Sequence, residues 1–291
     1  LRTKKSSYLI ILVLFAFLAW LVYSGKTEFS PQSLIASSEL KGRSFQGQVE
    51  EITGATSGVK GYFMSLPDSP LVSVSLIFNQ SGSAYEAADK QGLTTLVAST
   101  LSAGAGKLSA KQVTDALRLY GADLNMSSNK DSFTIDMSVV ADQYIKATDL
   151  LAQILQSPKF EKPYIQTAQA QILKAQEAQH EQVASELGLA FAAKLYGTHP
   201  YGRDSLGTPE TVTRLTSSDL QTFVQNHFAK NNVFIGIAGK LDQAEAVAII
   251  DTLFAALPDE ALQENLPLAQ IDYNQAKLQI RRQDGQNMTT I

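Results

Sequence analysis

Polar and apolar residues alternate with a period of two through residues 70–79 (PLVSVSLIFN). Val72, Val74, Leu76 and Phe78 fall on one side, while Leu71 and Ile77 add apolar surface to the other. This pattern predicts a strand in the middle of a sheet. The period then changes to that of a helix over residues 92–104, with Leu93, Leu96, Val97 and Leu101 as its inner stripe and Gly104 and Gly106 as its stop. Ser109 and Gln112 form a capping-box pattern for a second helix, in which Val113, Ala116, Leu117 and Tyr120 face inward and which Gly121 ends. Residues 124–128 and 132–140 are expected to pair as strands around the Asn129-Lys130-Asp131 turn.

Helical patterns follow over residues 142–156, 161–186 and 187–196. The middle one is rich in alanine and glutamine and has a thin apolar face: Ile165, Ala168, Ile172, Ala175 and Val183. A helix over 217–227, a strand over 233–238 and a helix over 241–257 complete the pattern, with Pro258 as the final stop. Residues 45–52 read as a further edge strand. Helices and strands therefore interleave across residues 45–266, which predicts an α+β domain with helices covering a mixed, mainly antiparallel sheet. Residues 267–291 read as a linker and the first strand of a second domain that the chain does not complete.

The first 44 residues are of another kind. Arg2, Lys4 and Lys5 precede the uncharged run YLIILVLFAFLAWLVY at residues 8–23, so residues 1–25 are expected to form a membrane anchor. The positive flank would put the main domain outside, on the periplasmic side of a bacterial inner membrane. Cleavage after Ser24 is the rival expectation and would release a periplasmic or secreted protein. Residues 26–44 mix Ser, Gln, Pro and charge without periodicity and read as a tether.

Composition removes several classes of chemistry. The chain has no cysteine, so thiolate catalysis and cysteine-held metal centres are excluded. Its net charge of −4 gives no electrostatic footprint for nucleic acid. His180, His199 and His227 are the only histidines, and their spacing matches no local ligand motif.

The order of short motifs resembles the pitrilysin/insulinase-like zinc peptidases, the M16 class that includes the mitochondrial processing peptidase subunits. The resemblance runs from the 72–79 strand through Gly82-Ser83, Gly92-Leu93, Gly121-Ala122 with Asn125, and His199-Pro200-Tyr201 with Gly207. It ends with Asp219-Leu220, Asn231-Asn232 and Ala238-Gly239. In active members, the resemblance implies, the first helix carries H-x-x-E-H, two zinc ligands and a general base. Those places hold Thr95, Ala98 and Ser99 here, and the interval to the family's third ligand, a glutamate, reaches Ala175. Two alanines have no donor atom and two neutral hydroxyls are unusual zinc ligands. No residue at these places can take a proton from a metal-bound water.

The resemblance thus implies a non-catalytic chain with no cofactor of its own. It would pair with an active subunit that supplies zinc, and together they would form a chamber for an unfolded peptide. The alternative is a stand-alone peptide-binding or scaffold protein of the cell envelope. His199 and Tyr201 are the candidates for contact with a substrate, or else they pack a loop.

Overall fold

The computed structural model describes residues 48–262 and 265–270. Six strands form one sheet in the order β1-β2-β6-β3-β5-β4. They are β1 (Val49–Thr53), β2 (Lys60–Ser65), β3 (Leu71–Asn79), β4 (Asp123–Ser128), β5 (Ser132–Val140) and β6 (Val233–Gly239). All neighbours are antiparallel except β2 and β6, which run parallel.

The alternation noted above sets the register. Leu76 of β3 lies opposite Ile135 of β5 and Ile235 of β6, and Val74 lies opposite Met137 and Ile237. Side chains directly opposite share a face, so these residues form one apolar layer. Eight α-helices among the described residues are α1 (Leu93–Thr100), α2 (Ala110–Leu119), α3 (Tyr144–Gln156), α4 (Lys162–Glu181), α5 (Val183–Tyr196), α6 (Pro209–Arg214), α7 (Ser217–His227) and α8 (Gln243–Phe254). Leu96 and Val97 of α1, Leu151 and Ile154 of α3, and Ile250 and Phe254 of α8 are almost fully buried in the same core as this layer. Phe78 stacks on Phe228 beyond α7 with ring centres 4.4 Å apart.

Local signals map well onto the elements. Gln112 N donates to Ser109 Oγ (3.3 Å) and Ser109 N donates to Gln112 Oε1 (2.9 Å), so the capping box forms as expected. The 161–186 helix instead breaks at Gln182, whose backbone is extended (φ −93°, ψ 114°), and α5 starts at once. No Gly or Pro marks that break.

The membrane expectation is corrected. No helix among the described residues is long and apolar enough to cross a membrane. Even the 20-residue α4 carries glutamine and charge along its length, whereas a spanning helix needs about 20 mostly apolar residues. Residues 8–23, on which the anchor was read, lie outside the described residues, as do the 26–44 tether and the strand expected after residue 276. The single-pass topology, the inner-membrane and periplasmic placement, and the membrane as a partner are therefore withdrawn.

Candidate functional site

α1 enters through Gly92, whose positive φ of 91° suits glycine. Its inner stripe seats the helix on the sheet, which leaves Thr95 and Ala98 half-buried and Ser99 exposed on the outer side. Thr95 Oγ1 donates to the Ser205 carbonyl (2.9 Å), and Ser99 Oγ donates back to the Thr95 carbonyl (2.9 Å). Both hydroxyl protons are thus committed to backbone oxygens.

α4 packs beside α1. Its buried face is Ile165, Ala168, Ile172 and Gln176, whereas Ala175 is exposed. Gln176 Nε2 donates to the carbonyls of Leu206 (2.9 Å) and Gly207 (3.1 Å), so α1 and α4 close on the same short loop. The loop lies tight against the entry of α1: a Cβ at Gly207 would come within 2.3 Å of the Gln91 carbonyl. Of these two neighbours, Gln176 is the one buried against the 206–207 loop, while Ala175 faces outward. Helical phase was the signal available for it, because Ile165, Ala168 and Ile172 continue at the next turn to 176.

The family's zinc does not fit these residues. Thr95 and Ser99 offer only neutral hydroxyl oxygens, which are unusual zinc ligands, Ala98 offers no donor atom, and the Gln176 amide nitrogen is directed at loop carbonyls. Gln176 Oε1 is buried without a protein partner, but a lone amide oxygen is a poor zinc ligand.

Beneath α1 lies a carboxylate that the sequence did not single out. Glu86 is 5% exposed and accepts from Gly92 N (2.9 Å), Thr94 N (2.6 Å) and Thr94 Oγ1 (2.7 Å). It caps the helix where the dipole favours negative charge. Burial nonetheless pushes its pKa up to about 7, against the opposing pull of the Thr94 and Gly92 hydrogen bonds and of Lys130. Burial also lowers the pKa of Lys130, with Asp204 and Glu86 acting the other way. Lys130 Nζ donates to the Arg203 carbonyl, and Arg203 Nη1 donates to the Glu86 carbonyl (2.9 Å).

His199 and Tyr201 lie on the same loop system, with ring centres 5.0 Å apart in an edge-on contact. His199 Nδ1 accepts from Tyr201 N (3.2 Å), and Nε2–H donates to the Pro267 carbonyl (2.8 Å). Tyr201 OH donates to Asp131, a bond that, together with burial, pushes the phenol up to about 12. These polar atoms hold the loop to the β4–β5 turn and to the chain's later course. His180 bonds Glu186 at 2.7 Å, and His227 is buried on Phe223 with Nδ1–H donating to the Gln80 carbonyl.

A mixed, mainly antiparallel sheet with helices packed against it defines an α+β domain. The profile of insulinase (peptidase family M16) matches residues 64–208, and that of the peptidase M16 inactive domain matches residues 214–291. The chain belongs to peptidase family M16.

An uncharacterized zinc protease of Rickettsia felis is 24% identical over 225 residues, 77% of this chain and 54% of that protein. A probable mitochondrial-processing peptidase subunit beta of Arabidopsis thaliana is 24% identical over 184 residues, 63% of this chain and 35% of that protein. A solved peptidase M16 inactive domain from Pseudomonas fluorescens superposes with a TM-score of 0.71 at 25% identity, covering 77% of this chain and 54% of that one. The chain thus spans about half the length, or less, of the relatives it matches.

Proposed function

We propose that this chain is a non-catalytic M16 subunit that forms part of a peptide-binding chamber and supports proteolysis by an active, zinc-bearing M16 partner. The observation that carries this reading is the chemistry at Thr95, Ala98, Ser99 and Gln176. Two protons are donated to carbonyls, one side chain is a methyl, and one amide pins a loop. None of these groups can hold a zinc ion and take a proton from its water.

The chain keeps a surface suited to an extended peptide. β4 is an edge strand beside α1, joined to it by Ser128 Oγ donating to Thr94 Oγ1 (3.3 Å). Its outer backbone groups can take a peptide by strand addition, which reads backbone more than sequence. The opposite edge, β1, carries Glu50 and Glu51, charges that discourage such pairing.

The test is to purify the full-length chain alone and together with an M16 chain of the same genome that bears H-x-x-E-H. The chain alone should neither hydrolyse an unfolded peptide nor retain zinc after dialysis, while the pair should co-purify and cleave. Chelator-sensitive cleavage by the chain alone would sink the reading.

A further inference from the structure

Among the described residues Glu86 is the one acidic side chain that is buried, and no Lys or Arg forms an ion pair with it. Its oxygens accept from uncharged donors, the Gly92 and Thr94 N–H groups and the Thr94 hydroxyl. A carboxylate so placed is costly to ionise unless water can reach it.

The segment that lies over it is the 203–207 loop. Arg203 Nη1 donates to the Glu86 carbonyl (2.9 Å), and Ser205 Oγ shares a hydrogen bond with Ser83 Oγ (2.9 Å). Gly207 is packed against Gln91, so the loop touches the chain on both sides of Glu86. Elsewhere the loop is fastened by Thr95 to the Ser205 carbonyl, by Gln176 to the Leu206 and Gly207 carbonyls, and by Lys130 to the Arg203 carbonyl. These are hydrogen bonds, and none of residues 203–206 is buried. A loop held this way opens at a lower free energy than a sheet held by a packed core.

Charged and titratable groups reach this place from each neighbouring segment. Lys130 and Asp131 come from the β4–β5 turn, Arg203 and Asp204 from the loop, and Tyr85 and Lys90 from the chain before α1, while α1 itself brings none. Lys90 is paired with Asp219 (2.9 Å), and Asp131 accepts from Tyr201. Lys130 draws Glu86 towards its ionised form, but burial outweighs it and the three hydrogen bonds.

We propose that the 203–207 loop is a latch over the entry of α1, closed while Glu86 is neutral and released when Glu86 gives up its proton. With the latch closed the carboxyl holds its proton up to about pH 7, whereas in water it would lose it near 4.5. Opening is thus rarest below about pH 4.5, rises up to about pH 7, and levels off above that. Release frees Thr95 and Gln176 and uncovers the side of α1 next to β4. The latch acts on the chain by itself and does not rest on the paired-subunit reading.

The test is amide hydrogen exchange on the full chain by mass spectrometry, from about pH 5 to about pH 8, with rates corrected for the chemical effect of pH. Peptides covering residues 90–95 and 203–208 report the latch, and those of β3 and β5 report the core. In wild type, opening of the latch peptides should rise at least about tenfold from about pH 5 to about pH 7, then change less than about threefold. Glu86→Gln, which cannot ionise, should stay within about twofold across the range. Ser205→Ala loses the contact with Ser83 but keeps the carboxyl, so it should raise opening by the same factor at every pH. A flat wild-type profile, or an equal rise in Glu86→Gln, would overturn the latch. So would latch peptides that exchange only in step with β3 and β5, because the opening would then be unfolding of the whole domain. If Glu86→Gln does not fold, the wild-type and Ser205→Ala profiles decide: parallel curves that rise and level off support the latch, and flat ones overturn it.

Discussion

Glu86 shows how much one side chain can do without belonging to any motif. Its carboxylate satisfies two of the donors that begin α1, yet it is almost wholly removed from water. Removing it as Glu86→Ala leaves the Gly92 and Thr94 N–H groups buried without a partner, which should cost about 2–3 kcal/mol and lower the melting temperature. Its pKa, raised from 4.5 to about 7 chiefly by burial, makes the stability pH-dependent with a definite sign. The folded state holds this proton more tightly than the unfolded chain does. The contribution is therefore complete below about pH 4.5 and is lost as pH rises through about 7. Melting curves from about pH 5 to about pH 8 should fall for wild type and stay flatter for Glu86→Gln, which cannot titrate. Equal slopes for the two proteins would disprove the assignment. Glu86 could not be read from the sequence, because its role depends on a close approach to α1 that no spacing reports.

At the scale of elements, α4 is the instructive case. Its composition is rich in alanine and glutamine, and two of its glutamines have specific work. Gln169 Nε2 donates to the Val212 and Leu215 carbonyls, and Gln176, two turns on, donates to Leu206 and Gly207. The helix thus carries a polar clamp for the loop that also receives Thr95. The inward stripe follows a phase that reaches 176, and one residue back on a helix turns the side chain through about 100°.

The difference is testable. Thr95→His, Ala98→Glu and Ser99→His combined with Gln176→Glu should bind zinc in a titration at least about tenfold more tightly than the same triple combined with Ala175→Glu. The reverse order would show that 175 faces α1 after all. Because Gln176→Glu also sets a carboxylate against two carbonyls, the loop at 206–207 should exchange its amide hydrogens faster in that variant.

For the whole molecule, the decisive feature is where β6 lies. It belongs to the segment matching the inactive-domain profile, residues 214–291, yet it pairs with β2 on one side and β3 on the other, inside a sheet otherwise built before residue 208. Without β6, the β1–β2 hairpin has no strand joining it to β3, β5 and β4. A chain ending at residue 208 should therefore show no cooperative thermal transition by circular dichroism. A sharp transition near that of the full chain would contradict the topology.

Local periodicity carried the strands β3, β4 and β5, the turn at 129–131, the cap of α2 and the inner face of α1, because each depends on residues only a few positions apart. The sequence also sufficed to show that Thr95, Ala98 and Ser99 lack zinc-binding side chains, since that follows from residue type alone. β2 escaped it because Gly61 and Phe63 make too short an apolar alternation, and its parallel pairing with β6 joins segments some 170 residues apart. Only the folded chain placed Gln176 against the α1 loop, buried Glu86, and tied His199 and Tyr201 into the loop's own scaffold. Those outcomes are set by packing between distant segments, and a one-dimensional pattern of polar and apolar positions does not encode which distant faces meet.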